Sequence, residues 1–362
     1  MNPDVTVTPP PEGGHDVPET KQEQGKSQGQ LIRRRFMANK LALVSIVVLG
    51  LVALLGITSL GVGPIPGWWK WGYAEAPPLQ NGGGRPTLEL WPFSLGDHPF
   101  GQHRTGKDYF AMVMRGIQNS FLAVFIMGAI ATVLGSVVGA LAGYYRGWVD
   151  AILMRMTDLV IVVPVLVLGA VIGRGFGANG VVILSIFLGL VLWTGLARLV
   201  RAEFLSLRER EFVDAARVAG ASDARIIFKH IFPNAIGVVI VTSTLVMASA
   251  ILLEAALSFL NLGVKPPDVS LGYLISENSA AFKNRPYLFW WPGLFIILIA
   301  LSINFIGDGL RDAFDPRQTR FNARKTVDRD APVAAVDLDT KSTDASGAAD
   351  GRGTGGPGEG RS

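Results

Sequence analysis

The chain has 362 residues, 49% of them hydrophobic and 17% charged. That is too few charges for an ordinary soluble domain, where about a quarter of residues carry one, and it points to an integral membrane protein. A formal net charge of +4 in so apolar a chain suits loops facing anionic lipid rather than nucleic acid, and the absence of cysteine excludes disulfides, thiolate catalysis and cysteine-based metal sites.

Residues 1–30 are rich in Pro, Gly, Gln, Glu and Lys. They read as a disordered tail, not as a cleavable signal peptide. A membrane helix needs about 20 mostly apolar residues to cross about 30 Å of hydrocarbon. Stretches of this kind occupy 41–62, 121–145, 158–173, 181–200, 235–260 and 288–307. The third is short and is expected to begin near Leu153. From about Asn322 the chain turns to Asp, Thr, Ser, Ala and Gly, a solvated tail.

Basic residues near the span ends set the orientation. Arg33, Arg34, Arg35 and Lys40 precede the first span and place the N-terminus in the cytoplasm. Alternation then puts 63–120, 174–180 and 261–287 outside, and 146–157, 201–234 and the C-terminus inside. Residues 201–234 are dense in arginine, although Lys70, Arg104, Lys107 and Lys283 dilute the bias on the outer side. Trp68, Trp69, Trp71, Trp290 and Trp291 suit an aromatic belt. Gly128, Gly135 and Gly139 lie on one side of the second span, where small residues let helices approach within the chain or against a second subunit.

The inner segment REFVDAARVAGASDARIIFKHIFPN (210–234) differs from its surroundings. Phe212, Ala215, Ala216 and Ala219 follow the spacing of one helix face. Gly220 suits a left-handed helix end, and Ser222 can cap a second helix carrying Ala224, Ile227, Phe228 and Ile231 on one face. Pro233 ends that helix or starts the next span. A DNA-reading helix–turn–helix has the same outline, but spans on both sides clamp this unit to the membrane. Glu209, Glu211, Asp214 and Asp223 would oppose anionic headgroups if the pair lay on lipid. A protein partner accounts best for the segment.

DAARVAGASDARIIFKHIFP (214–233) resembles the EAA loop of permease subunits of ATP-binding-cassette importers. Asp214, Ala215, Ala216, Gly220 and Pro233 fall on its positions. Asp214 stands for glutamate, His230 for isoleucine and Phe232 for leucine, the last two as in the dipeptide, oligopeptide and nickel branch. RRRFMANKLALVSIVVLGLVALL (33–55), HPFGQHRTGKDYFAMVMRG (98–116), LLEAALSFLNLGVKPPDVSLGYLIS (252–276) and INFIGDGLRDAFDPR (303–317) resemble segments of the C-type permease of that branch, with Asn261 where glycine is usual.

The resemblance, over about 31–320, implies an all-α integral membrane protein of six transmembrane helices with a type I importer permease (MetI-like) fold, located in the cytoplasmic membrane with both termini inside. It divides the chain into a tail (1–30), a first-span segment (31–65), an external loop (66–116), a permease core (117–320) with its coupling loop at 201–234, and a second tail (321–362). It implies import of short peptides, with nickel import as the alternative in the same architecture. The implied partners are a sibling permease, two cytoplasmic ATPase subunits and an extracytoplasmic solute-binding protein. Asp214, Ala215, Ala216 and Gly220 would form the docking knob, with Arg217 and the second helix flanking it.

This chain is not expected to be the ATPase. It has no G-x-x-x-x-G-K-[ST] loop, so ATP and magnesium belong to partners. GFGANG (175–180) matches G-x-G-x-x-G, but it follows a span rather than a strand and reads as a turn. His15, His98, His103 and His230 are scattered, without metal-binding spacing. Glu254 and Asn304 lie inside apolar runs and are candidates for the pore or a gate; Glu254 would meet a peptide amino terminus or a second subunit. Asp158 opens the third span near water. An ion-driven secondary transporter would leave the EAA-like loop unexplained, and a non-transporting scaffold would leave the glycine-rich bundle unexplained.

Overall fold

A computed structural model describes residues 28–315. The two tails lie outside the described residues, except that Gln28 already begins a helix. The helices are α1 (Gln28–Ala38), α2 (Lys40–Leu60), α3 (Tyr109–Tyr145), α4 (Gly147–Val162), α5 (Val165–Phe176), α6 (Val181–Leu192), α7 (Thr194–Arg208), α8 (Glu211–Val218), α9 (Asp223–Phe259), α10 (Leu271–Asn278) and α11 (Tyr287–Phe314). Sheet structure among the described residues is limited to two-residue hairpins, Gly61–Val62 with Ile65–Pro66 and Glu89–Leu90 with Phe93–Ser94.

Four helices, α2, α3, α9 and α11, are long and apolar enough to span a membrane alone. The third and fourth expected spans are broken. α4 and α5 meet at 80° and α6 and α7 at 41°, so six crossings result only if each bent pair counts as one. The first break has a plain cause. Val163 precedes Pro164, and the proline ring disfavours helical backbone there; Val163 is extended, with φ −81° and ψ 123°. α5 has 12 residues, about 18 Å, too short to cross on its own.

α3 is the central post and packs against α2, α6, α7 and α9, while α11 packs against α1, α2, α9 and α10. The helix starts at Tyr109, well before the apolar run that marks it in the sequence, and so passes through residue 116, where the external loop was expected to end. Its first turns carry Gln118 and Asn119, which periodicity cannot count as membrane-facing. They are turned inward: Asn119 donates to the Val269 carbonyl at 2.7 Å, and Gln118 to those of Gly56 and Gly61 at 2.8 and 3.0 Å. Such bonds are needed where no water is available. Asp108 caps the helix, accepting from the Ala111 amide at 2.9 Å.

Glycines set how closely the helices approach. A Cβ on Gly135, Gly139 or Gly143 would come within 2.6, 2.5 and 2.6 Å of α7 atoms, and one on Gly128 within 2.5 Å of Met247 on α9. The small-residue side of α3 is therefore filled from within the chain. The outward face of α2, with Leu41, Val44, Val47, Leu51 and Leu54, remains exposed, as a lipid-facing surface must.

Over the Tyr109 end of α3 the segments before α3 and after α9 form a cap. Trp69 donates to Asp108 at 2.8 Å, and the buried His98 Nδ1 lies 2.8 Å from the other Asp108 oxygen. His98 also stacks on Trp71, and Phe100 on Trp291. His98 thus helps to hold this cap together through Nδ1 and the face of its ring.

Candidate functional site

The segment between α7 and α9 sits at the Tyr145 end of α3. α8 carries Glu211 and Asp214 in its first turn and Arg217 in its last, each sign at the helix end whose dipole favours it. Gly220 has φ +77°, and the Gly220 and Ala221 amides donate to the carbonyls of Arg217 and Ala216 at 2.9 and 3.0 Å. This is the glycine-terminated Schellman closure, in which the left-handed residue lets the chain reverse. The elbow thus has the conformation the sequence suggests.

The second half departs from expectation. Ser222 is extended, as a capping residue is, but its side chain makes no capping bond. Pro233 does start the next span, in the first turn of the α-helical run from Phe232, although helical winding is continuous from Asp223 to Phe259. Residues Ile226–Ile231 are wound as a π turn, with the Phe232 amide donating to Ile227. Pro233 has no N–H to give the preceding turn, and the wider winding there absorbs the mismatch.

The buried face of α8 is turned by about one position from the alanine-lined face, whereas Ile227 and Ile231 of the second helix are buried on the apolar face read for it. Val213 and Ala216 of α8 pack with Ile226, Ile227 and Ile231 of α9 and with Phe204 of α7. Phe212, Ala215 and Ala219, which share the alanine-lined face, are exposed, as are Ala224 and Phe228. Val218 is 90% exposed and Phe228 71%. Large apolar side chains around a polar elbow, beyond the ends of the spans, form a surface suited to a protein partner. Asp214 pairs within its own helix, with Arg217 Nη1 at 2.9 Å, and both remain accessible. Asp214, Ala215, Arg217 and Gly220 therefore share the outward surface. Ala216 lies beneath them in the packing, and Pro233 is exposed on the neighbouring helix.

This knob is fastened to the spans. The Tyr144 hydroxyl donates to Asp223 at 2.7 Å, directly after the elbow. The Arg208 guanidinium lies 5.6 Å from the Tyr144 ring centroid and donates to the Tyr144 carbonyl. Arg146 pairs with Glu209 at 2.6 Å. Arg201 holds Asp150 through two bonds of 2.5 and 2.6 Å, and Arg198 holds Asp158 at 2.5 Å. Sequence reading missed Tyr144, Asp150 and Arg201; the signal for the last two was opposite charge at the ends of neighbouring spans. These contacts tie the elbow and the end of α7 to α3, and α7 to α4.

Glu254 and Asn304 are placed apart from this surface. Glu254 is 2% exposed; Ser258 donates to one oxygen at 2.7 Å and Ser120 to the other at 3.4 Å. Its partners lie within this chain, and in this conformation almost none of it faces a passing peptide or a second subunit. Asn304 donates to the Ala300 carbonyl of its own helix at 2.9 Å.

Two family models match the chain. Binding-protein-dependent transport system inner membrane component matches residues 131–320, and the N-terminal TM domain of oligopeptide transport permease C matches residues 27–78. The oligopeptide transport system permease protein OppC of Mycobacterium bovis is 36% identical over 80% of this chain and 95% of its own length. That of Haemophilus influenzae is 35% identical over 83% and 92%. A putative peptide permease protein of Brucella ovis is 43% identical over 61% of this chain and 73% of its own. Among solved structures, a chain of the inward-facing MetNI methionine ABC transporter aligns with 56% of this chain and 96% of its own length, at TM-score 0.46 and 19% identity.

Proposed function

The chain belongs to the family of binding-protein-dependent transport system inner membrane components, and from that premise we propose that it is the membrane-spanning permease subunit of an ATP-driven importer of short peptides. Permease proteins of oligopeptide systems are similar to it over most of their length, which supports peptides as the cargo. The protein is a multi-pass membrane protein and not the ATPase. Both termini and the 209–234 knob lie in the cytoplasm, as the arginine bias supports.

The observation that carries the mechanism is the exposed knob on α8 and the start of α9, tied to α3 and α7. ATPase subunits grip Asp214, Ala215, Arg217 and Gly220 together with the exposed Phe212, Val218 and Phe228. When nucleotide draws two ATPases together, the knobs of this chain and of a sibling permease are carried with them. The bonds of Tyr144, Arg208 and Arg201 pass that displacement into the spans, and the path between the two permeases changes the side to which it opens. A solute-binding protein delivers the peptide at the opposite end.

Gly220→Glu tests the docking. A Cβ at Gly220 meets nothing within 4 Å, so the cost to folding is the left-handed backbone alone, about 1–2 kcal/mol. The variant should insert and pair with its sibling but lose ATP-dependent uptake of labelled di- and tripeptides in reconstituted vesicles. Uptake at the wild-type rate would refute the docking role.

A further inference from the structure

At the opposite end of the molecule a cavity of about 200 Å³ opens between the end of α10 and the turn into α11. Arg104, Glu277, Asn278, Asn284 and Arg285 supply its polar lining. Glu277 Oε2 and Arg285 Nη1 are buried, and neither has a hydrogen-bond partner. Opposite charges lining one small space ordinarily collapse into an ion pair, yet Glu277 and Arg285 form none. Among the described residues the ion-pair neighbour of Glu277 is His103, whose Nε2 lies 3.8 Å from Oε1, and the Tyr273 hydroxyl is a hydrogen-bonding neighbour of the same carboxylate. The separation from His103 is too long for a hydrogen bond, and this buried nitrogen is unpartnered as well. Desolvated donors and acceptors left open in this way cost free energy that a bound ligand would recover.

We propose that this cavity binds a small zwitterion carrying an amine and a carboxylate, a free amino acid or a dipeptide, with the ammonium on Glu277 and the carboxylate on Arg285 and Arg104. The charges select against simpler ligands. A lone anion would meet the Glu277 carboxylate, and a metal cation would meet two guanidinium groups. The volume lies below the about 300–1,000 Å³ usual for drug-sized ligands, which sets the limit near a dipeptide. Burial pushes the His103 imidazole below its ordinary titration range, so at neutral pH it adds no positive charge against the amine.

Calorimetric titration of the full chain in lipid nanodiscs with dialanine is the test. Saturable binding is expected, absent for dialanine blocked at both ends, and weakened at least about tenfold in Glu277→Gln and in Arg285→Gln. The blocked peptide makes the comparison on the unaltered protein, so it holds even where a variant misfolds. No saturable heat up to on the order of 10 mM dialanine, or equal binding of the blocked form, would overturn the proposal. Binding is read on this chain alone, so its failure leaves uptake by an assembled transporter unaffected, and failed uptake leaves the cavity site standing.

Discussion

His103 shows how one side chain can carry a pH dependence whose sign follows from its surroundings. It is buried in the cap, with Thr105 Oγ1 2.8 Å from Nδ1. Burial lowers its pKa below the ordinary 6.5; Arg104, Lys107 and Arg285 act in the same direction and Glu277 against it. The unfolded chain therefore takes up a proton near 6.5 that the folded cap resists. The stability His103 contributes is complete above that value and declines as pH falls toward the lower folded value. Thermal unfolding at about pH 7.5 and about pH 5.5 should show a larger acid loss in the native chain than in His103→Gln. Equal losses would place the acid sensitivity elsewhere. At this scale the sequence was legible where backbone geometry depends on a single residue type. Gly220 was read as a left-handed elbow from its place after an alanine-lined helix, and it has that conformation. Tyr144 was not legible, because nothing in a local window shows that a tyrosine ending one span will bond to Asp223, 79 positions later.

Packing between α3 and α7 is the contact on which the account depends among the elements, and its determinant is a glycine side repeated every four residues. A Cβ on Gly139 would lie 2.5 Å from the Ala197 carbonyl oxygen and 2.8 Å from Val200 Cβ. The first is backbone and cannot rotate away. Gly139→Leu should lower stability by about 1–3 kcal/mol or more and broaden or shift the size-exclusion peak of the solubilised protein. Gly50→Leu on the exposed face of α2, where a Cβ meets nothing within 4 Å, should stay within about 0.5 kcal/mol. Similar losses for both variants would mean that close approach is not what these glycines provide. The periodic spacing at 135 and 139 was visible in the sequence, whereas the partner helix was not. Breaks were harder to see than spans. Pro164 was in plain view, but an apolar run from 158 to 173 reads as one segment by hydropathy, which is blind to direction. The shifted face of α8 has a related cause: Phe212 and Val213 are adjacent and both apolar, and only the tertiary contact with Ile226 and Phe204 decides which of them is buried.

For the whole molecule, the described residues form a bundle around α3, closed at one end by a hydrogen-bonded cap and carrying an exposed, firmly braced knob at the other. Low charge content and long apolar runs made the membrane class legible, and the EAA-like loop pointed to the family in which the chain belongs. The central claim is that the knob is where ATP-hydrolysing partners take hold. The most direct measurement is a mild-detergent pull-down of the tagged chain from its native membranes, with the co-purifying chains identified and the Gly220→Glu variant run beside it. The account predicts a second permease and P-loop ATPase subunits with the native chain, and loss of the ATPases but not of the second permease with the variant. ATPases recovered equally with both, or with neither under conditions that keep the permease pair together, would contradict it.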